Sequence, residues 1–503
     1  VGSQPRPVSK GRLNAAPSRI VFEDQHASPR ETGTPLTEKA RLPTWELGGL
    51  SVGDVDLDGR PDLIVVASAS NAPGTLLLLK SNNEGGFHDS TQGSGLEQVH
   101  DALSCALGDY DNDGKPDLFV ACAGRNGLLQ NIGHGTFTNV TEATGTGGGA
   151  AVSWSAVFVD ADHDGDLDIY VCIAGAVDGS GTVGNQLLNN NGDGTFTDIA
   201  AAAGVTCEGS PSVLALFGDV DGDRDADLLV LRAGAAARLF LNDLGGRYRE
   251  AQHLPDLRGD LGAAMQDFNG DGHLDILVLG RTQPQLQLYT GTGRGQFTLD
   301  DRFAGPARTA ATWGPLRALR IADVDLDGDL DVALFGRAGH VLLNAGSGRF
   351  VLQTGVWPDQ GNRSAAVEVL DMSGDLVPDV LMVERSNPPR IVLMPSQLTP
   401  PSTGLALAPT GMRGRDGRTR SPASGYGVKA VLRAGLHEQT VTYTGQSGGP
   451  HQSWLPLIVG LGGDTKADYL ALQWPDGVAQ VEVNLSAGTT HAIAELQRKV
   501  SSC

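Results

Sequence analysis

The segment Asp54-Val55-Asp56-Leu57-Asp58-Gly59-Arg60-Pro61-Asp62 decides how this chain folds, because its pattern, D-x-D-x-D-G-x-x-D, returns along the sequence with few changes. The later copies open at Asp109, Asp160, Asp219, Asp267, Asp323 and Asp371. Each copy runs directly into a short apolar segment, such as 63–66, with the length and β-branched character of a buried strand. Each acidic loop is therefore predicted to be a turn between two strands.

The acidic loop has the composition of a calcium site. Carboxylates at its first, third, fifth and ninth positions, with the backbone carbonyl of the seventh, supply the oxygen ligands that Ca²⁺ prefers. Glycine at the sixth position permits the positive φ of a sharp turn. The predicted ligands, loop by loop, are Asp54, Asp56, Asp58, Arg60 and Asp62; Asp109, Asp111, Asp113, Lys115 and Asp117; Asp160, Asp162, Asp164, Asp166 and Asp168; Asp219, Asp221, Asp223, Asp225 and Asp227; Asp267, Asn269, Asp271, His273 and Asp275; Asp323, Asp325, Asp327, Asp329 and Asp331; and Asp371, Ser373, Asp375, Val377 and Asp379.

The loops differ in how strongly they are expected to bind Ca²⁺. Arg224 stands at the glycine position of the fourth loop, and Leu376 stands there in the seventh, where Ser373 also replaces an acid. We therefore expect six strong Ca²⁺ sites and a weak seventh. An EF-hand is excluded, because its loop needs a glutamate at the twelfth position. The residues found there are Val65, Val120, Val171, Val230, Val278, Leu334 and Met382.

The spacing of the loops predicts the architecture. They open 55, 51, 59, 48, 56 and 48 residues apart, and a period of about fifty residues with several strands per unit is typical of a propeller blade. Two elements recur in phase: an apolar strand followed by Asn, as at Asn189, and then a Gly-x-aromatic step. That step gives six aromatic outer strands, starting at Phe87, Phe137, Phe196, Tyr248, Phe297 and Phe350.

A seventh outer strand is missing after 391–393, and Arg19–Asp24 has the right character to supply it. Closing the ring with both ends of the repeat region removes exposed sheet edges. The predicted fold is all-β: a seven-bladed β-propeller, its last blade closed by the N-terminal strand, followed by a small β-rich C-terminal domain.

The repeats resemble the FG-GAP or VCBS repeats of integrin α-subunit propellers and their bacterial relatives. Farther on, 425–431, 459–462 and Trp474-Pro475-Asp476-Gly477 are similar to the ASPIC/UnbV domain of the cartilage acidic protein family. The boundaries expected are an N-terminal extension at 1–17, the propeller at 18–396, a linker at 397–420 and the ASPIC/UnbV-like domain at 421–503. The resemblance implies a secreted, extracellular or periplasmic calcium-binding protein and transfers no catalytic residue.

The composition limits the classes of partner that this chain could bind. The formal net charge is −22 over 503 residues, and seven bound Ca²⁺ would reduce it to −8 (−22 + 14). Nucleic acid is not expected as a partner, because it requires a basic surface. The longest apolar runs are far shorter than the roughly 18 residues that span a bilayer, so no membrane span is predicted. The chain opens at Val1, as a processed export product would, and equally as a trimmed sequence would.

The cysteines leave two alternatives open. Cys105 with Cys122, and Cys172 with Cys207, could form disulfides in an oxidising compartment, or all four could be buried thiols. Cys503 would then remain unpaired.

The sequence contains no convincing catalytic constellation. Gly445–Gly449 fits G-x-S-x-G around Ser447, with Asp468 and His491 following, but a hydrolase elbow needs a strand-to-helix turn on a large parallel sheet. The leading hypothesis is a non-enzymatic binding, adhesion or scaffold protein whose partner is a protein or a glycan. The alternatives are a structural subunit of an extracellular assembly or fibre, including assembly with its own copies, and an enzyme with its site at the channel mouth.

Overall fold

The computed structural model describes residues 19–22, 25–27, 49–67, 74–82, 86–179, 181, 183–243, 245–282, 285–303, 305, 316–336, 339–354, 356, 364–384, 390–399, 402–412 and 420–496. Within these residues the repeat region forms seven four-stranded antiparallel sheets, the blades. The strands of blades one to four are Leu50–Gly53, Asp62–Ala67, Thr75–Ser81 and Phe87–Asp89; Ala102–Gly108, Asp117–Cys122, Gly127–Asn131 and Phe137–Asn139; Ala151–Val159, Asp168–Ala176, Gln186–Asn190 and Phe196–Asp198; and Ser212–Gly218, Asp227–Arg232, Arg238–Asn242 and Tyr248–Glu250.

The remaining blades follow the same order. Their strands are Gly262–Gln266, Asp275–Leu279, Leu286–Gly291 and Phe297–Leu299; Ala318–Ala322, Asp331–Phe335, His340–Asn344 and Phe350–Thr354; and Ser364–Leu370, Asp379–Glu384, Arg390–Met394 and Gln25–Ala27. Short helices occur at Thr141–Thr144 and Ala200–Ala203, and 3₁₀ turns at Leu96–Gln98 and Asp301–Phe303.

Every acidic loop joins the first strand of its blade to the second, and its ninth aspartate is the first residue of that second strand. The second strands are almost wholly buried, as the apolar segments after the loops predict. The first strands contact one another in sequence, and that of blade seven contacts that of blade one. The blades therefore form a closed ring around a central channel. The predicted seven-bladed propeller is confirmed, with the six predicted aromatics opening its fourth strands.

The N-terminal segment closes the ring, but a few residues later than predicted. Gln25–Ala27, rather than Arg19–Asp24, pairs antiparallel with Ile391–Leu393 and becomes the fourth strand of blade seven. Arg19–Phe22 pairs instead with Ser396–Thr399, just beyond the blade. The segment thus runs alongside two consecutive strands, which extends the closure past a single blade.

The C-terminal domain consists of two sheets. Gly404–Thr410 lies between Leu457–Gly460, to which it is antiparallel, and Thr490–Ala494, to which it is parallel. The second sheet has the order His437–Tyr443, Val428–Ala434, Lys466–Gln473, Ala479–Ser486. The prediction of a linker over 397–420 is wrong in its middle, because the strand at 404–410 belongs to this domain. None of the helices described has the length and apolarity needed to cross a bilayer.

Four of the five cysteines lie in the described part of the chain, and all four are buried free thiols: Cys105, Cys122, Cys172 and Cys207. Cys105 and Cys122 are on paired strands but out of register, since Cys105 lies opposite Val120. Of the two alternatives, buried thiols therefore hold here. Burial raises the pKa of the Cys105 thiol to about 11, which keeps it protonated. Cys503 and the predicted extension at 1–17 are outside the described residues.

Candidate metal centres and the closed channel

The first aspartate shapes each acidic turn through backbone hydrogen bonds. In the first loop Asp54 Oδ1 accepts from the Asp58 amide at 3.0 Å and Oδ2 from the Gly59 amide at 2.8 Å. Both bonds recur in the second, fifth, sixth and seventh loops. Glycine at the sixth position has the expected left-handed backbone, with φ +87° at Gly59.

The two loops that lack this glycine keep the same turn. Arg224 has φ +82° and Leu376 has φ +65°. These values are strained for residues that carry a Cβ atom. The missing glycine therefore costs backbone energy, while the sixth position keeps its left-handed backbone.

Five loops bring three carboxylates together closely enough to hold one cation, with the candidate oxygen atoms all within 4.8 Å of one another. The groups are Asp54, Asp56 and Asp58; Asp109, Asp111 and Asp117; Asp160, Asp162 and Asp164; Asp219, Asp221 and Asp227; and Asp323, Asp325 and Asp331. The fourth loop is among them despite Arg224. The fifth and seventh loops, each with one acid fewer, form no such triplet among the described residues.

Several of these carboxylates carry a buried oxygen atom that has no hydrogen-bond partner. They are Asp56 Oδ1, Asp160 Oδ1, Asp162 Oδ1, Asp221 Oδ1 and Asp325 Oδ1. A buried carboxylate oxygen without a donor is costly, and a cation bound by the triplet would satisfy it. The donor set, all oxygen and predominantly carboxylate, fits a hard divalent cation.

The raised pKa values of the loop carboxylates also favour a bound cation. Burial raises the pKa of Asp62 and of Asp109 to about 7, and neighbouring aspartates add to the rise in both. Burial also raises the pKa of Asp331 well above its ordinary value. The fold thus concentrates carboxylates where their charged form is unfavourable until a positive charge is supplied.

The ninth aspartate has a role that the sequence did not reveal. In all seven loops its Oδ2 accepts from the amide of the second loop residue, and its Oδ1 accepts from an amide near the end of the third strand. For Asp227 these bonds, to Val220 and Asn242, measure 2.9 and 2.8 Å. This residue ties the loop to its own blade, whether or not it also contacts an ion.

In four blades an asparagine at the end of the third strand also ties the blade to the acidic loop of the preceding blade. Asn242 Nδ2 of blade four donates to the Ala161 carbonyl in the loop of blade three at 2.8 Å. Asn131, Asn190 and Asn344 make the equivalent bond to the loop of the preceding blade. In blade three the tying residue is Asn190, one position after the predicted Asn189. The repeated Asn in the sequence was the signal for this contact.

The C-terminal domain closes the channel with one segment, Thr442–Trp454, which we call the plug. Its backbone or side chains hydrogen-bond to the first strand of every blade. The partners, from blade one to blade seven, are Val52, Leu107, Phe158, Ala215, Ala263, Ile321 and Glu368. Only a segment on the propeller axis can reach all seven first strands. The plug overlaps the glycine-rich 445–449 motif, but its place on the propeller axis cannot be predicted from that motif.

Gln452 shows how tightly the plug fits. Its buried amide pairs with the backbone of Phe158, accepting from the N–H at 2.8 Å and donating to the carbonyl at 3.1 Å. Ser447 and His451 both hydrogen-bond to the buried carboxylate of Glu368, each at 2.8 Å. Arg320 lies 3.6 Å from the same carboxylate.

The charges in this cluster are fixed by burial and by each other. Burial alone would raise the pKa of Glu368, but the hydrogen bond from His451 and the charge of Arg320 outweigh it and hold that pKa below its ordinary value. Burial, and then Arg320, lower the pKa of His451. The cluster is therefore a neutral imidazole beside a buried ion pair.

Ser447 is not part of the hydrolase arrangement that its motif suggested. Its hydroxyl donates to Glu368, while Asp468 accepts from the Gly435 amide and His491 contacts Thr489 at the surface. The three residues of the G-x-S-x-G hypothesis therefore have separate partners.

A cavity of about 640 Å³ lies between the C-terminal domain and blades six, seven and one. Its lining includes the polar side chains of Ser447, Glu368 and Asp54 and the apolar side chains of Met372 and Leu455. Its volume is in the range of small-ligand sites.

The closed ring of four-stranded sheets with acidic turns defines the class: a β-propeller with a repeated acidic loop. The FG-GAP-like repeat family matches residues 54–120, 109–171, 219–278, 267–334 and 323–382, together more than half of the chain, and ASPIC and UnbV matches 418–500. The chain belongs to the FG-GAP-like repeat family and carries an ASPIC and UnbV domain.

The chain is also similar to Cartilage acidic protein 1 of Xenopus tropicalis, with 29% identity over 230 residues. That match covers 42% of this chain and 32% of the relative, so the chain spans about a third of the relative's length. Among solved structures, an Agrocybe aegerita lectin that recognises non-reducing terminal N-acetylglucosamine matches at TM-score 0.41 and 18% identity, over 61% of this chain and 80% of its own. BBS1N in complex with ARL6DN matches at TM-score 0.42 and 12% identity, over 69% of this chain and 91% of its own. The fold assignment depends on the strand order and the ring closure.

Proposed function

We propose that this chain is a calcium-stabilised propeller that acts outside the cytoplasm as a binding or scaffold protein for a protein or glycan partner. The observation that carries the proposal is the set of five carboxylate triplets, four of which contain a buried oxygen atom without a hydrogen-bond partner. Ca²⁺ suits them because it takes six to eight oxygen ligands in flexible geometry. When bound, the ion supplies positive charge that offsets carboxylate repulsion and fixes the turn.

The proposed partner contacts lie on the surfaces of the propeller that the plug does not cover. The plug fills the channel, so binding is assigned to the loops at the propeller rim and to the cavity beside blade seven. That cavity combines apolar wall with hydroxyl and carboxylate groups, which suits a sugar ring or a short peptide segment. The similarity to Cartilage acidic protein 1 supports placing the protein outside the cell.

Calcium dependence is tested by counting bound ions with native mass spectrometry and by melting the protein in Ca²⁺ and in excess EDTA. If each triplet binds at a ligand concentration 100-fold above its Kd, it contributes about 2.7 kcal/mol, so chelation should lower the Tm by about 10 °C or more. Asp56→Asn should remove one ion, while Asp89→Asn, outside the loops, should remove none. Identical melting curves in Ca²⁺ and EDTA would sink the proposal.

The binding role is tested with glycan and extracellular-protein arrays. Leu455→Trp fills the cavity from a position outside the acidic loops, and it should abolish cavity-dependent binding without changing the ion count. Leu299→Trp, at an exposed position on the outer strand of blade five, is the matched control. Equal binding by both variants would exclude the cavity and leave the rim loops.

A second candidate, a subunit of a larger assembly, is favoured by one surface. Ala479–Ser486 is the edge strand of its sheet, and Val481 and Val483 on it are each 61% exposed. An open edge with outward valines can pair with another copy. Sedimentation should then show oligomers that Val481→Lys disperses. A wild-type monomer at high concentration would refute this role.

A further inference from the structure

Two acidic loops have the same hexapeptide, Asp-Val-Asp-Leu-Asp-Gly, at 54–59 and 323–328. Their leucines share the left-handed backbone, with φ +63° at Leu57 and +55° at Leu326. Leu57 is 53% exposed, whereas Leu326 is 1% exposed. Because the local sequence is identical, the difference comes from what covers the sixth loop.

The C-terminal domain covers it. The Gly460 amide donates to Asp323 Oδ2 at 2.8 Å, and the Gly462 amide donates to the Leu326 carbonyl at 2.8 Å. A Cβ atom on Gly460 would lie 2.3 Å from the Leu326 carbonyl carbon and 2.4 Å from Asp323 Oδ2. Glycine is therefore required at that point of the contact, and a backbone of the C-terminal domain rests directly on a predicted ligand.

Other loops touch this domain through the same, fourth position. The Asn112 carboxamide oxygen accepts from the Ala423 amide at 2.8 Å, and His163 Nδ1 lies 3.2 Å from the Pro475 carbonyl. In the fourth, fifth and seventh loops this position is glycine. The acidic turn thus presents its fourth residue to the C-terminal domain, and the sixth loop does so with an apolar side chain.

The sixth triplet is also the most completely buried. Asp323, Asp325 and Asp331 are 2%, 4% and 0% exposed, and Asp325 Oδ1 has no hydrogen-bond partner. Without an ion, docking of the C-terminal domain removes water from three carboxylates that have no counter-charge. Burying unpaired charges in this way is unfavourable. With an ion, the same docking covers a neutralised turn.

We propose that the ion in the sixth loop controls attachment of the C-terminal domain to the propeller, because it stabilises the turn that presents Asp323 and Leu326 to that domain. This inference rests on the proposed calcium binding. By linkage the effect is reciprocal: docking raises the affinity of the sixth site for the ion. The first loop, identical in sequence and with its leucine exposed, lacks this coupling.

The test compares Asp325→Asn with Asp56→Asn, the same substitution in the two identical hexapeptides, in the full chain with Ca²⁺. Native mass spectrometry counts the ions, and hydrogen–deuterium exchange reports on the strands at 404–410 and 457–460. Both variants should lose one ion. Asp325→Asn should speed exchange in those two strands about tenfold or more, while Asp56→Asn leaves their rates unchanged.

The outcomes separate this inference from the function it rests on. A wild-type protein without bound Ca²⁺ refutes both. If Asp325→Asn loses its ion and the two strands exchange at the wild-type rate, the coupling alone is refuted.

A second pair of variants keeps all carboxylates in case Asp325→Asn fails to fold. Leu326→Ala should loosen the same strands and weaken Ca²⁺ binding at one site, and Leu57→Ala should do neither. Unchanged Ca²⁺ affinity in Leu326→Ala overturns the reciprocal coupling.

Discussion

Replacing Glu368 by glutamine removes a negative charge from the propeller axis and keeps the size of the side chain. Glu368 is 2% exposed and accepts hydrogen bonds from Ser447 and His451 of the plug. Arg320, 3.6 Å away and equally buried, loses its counter-charge in the variant. We expect Glu368→Gln to destabilise the fold and to loosen the plug.

The magnitude follows from the cost of an unpaired buried charge. Removing one partner of a buried ion pair costs about 3–5 kcal/mol. Arg320 keeps hydrogen bonds to the carbonyls of Val367 and Leu319, at 2.9 and 2.6 Å, which offset part of that cost. The expected loss therefore lies near the lower end, about 3 kcal/mol.

The assay is denaturant unfolding in saturating Ca²⁺, followed by tryptophan fluorescence. Asp256→Asn is the control, because it breaks an ion pair with Arg258 whose side chains are both more than half exposed, and such pairs contribute about 1 kcal/mol or less. The double variant Glu368→Met with Arg320→Met removes both charges and should be less damaging than Glu368→Gln. A Glu368→Gln loss below about 1 kcal/mol, or a double variant as unstable as the single, would refute the reasoning.

Three further outcomes are expected. Asn242→Ala should lower the free energy of unfolding by about 2 kcal/mol, because it leaves the Ala161 carbonyl of the preceding loop without its hydrogen-bond donor. The control, Asn189→Ala, should change it little. Equal losses of the two variants in denaturant unfolding would contradict the contact between blades. Arg224→Gly should raise the free energy of unfolding by about 1 kcal/mol, because glycine adopts a positive φ without strain. Gly59→Ala should lower it by a similar amount for the opposite reason. A destabilised Arg224→Gly variant would show that the turn is not strained. In metal-stripped protein, Asp109 has a pKa raised from 3.8 to about 7 by burial, so the folded state holds a proton that the unfolded state has released. Stability should therefore fall as pH rises from about 4 to 7 and then level off. A Tm that rises over this pH range would contradict the prediction.

Much of the fold could be predicted from the sequence because its signals are local. An aspartate loop followed by a buried strand, repeated at a period of about fifty residues, specifies a four-stranded blade wherever it occurs. The closing strand lies a few residues later than the sequence predicts, because Arg19–Phe22 has the β-branched and aromatic residues of a strand and Gln25–Ala27 does not. Only the pairing of Gln25–Ala27 with Ile391–Leu393 identifies it as the closing strand.

The candidate sites were predictable only in part. Ligand types follow from residue spacing, so the triplets coincide with predicted residues. The brace made by the ninth aspartate and the tie made by Asn242 depend on amides and carbonyls brought near by the third strand and the next blade, which spacing within one loop cannot show.

The repeat, the acidic turns and their oxygen donors can all be read from the amino-acid sequence, since each depends on residues within a few positions of one another. Contacts between distant parts of the chain place the plug in the channel, and they bury Leu326 while Leu57, in the same hexapeptide, is exposed. The physical reason is that burial depends on which distant segment covers a loop, and here that segment is more than a hundred residues away in the chain.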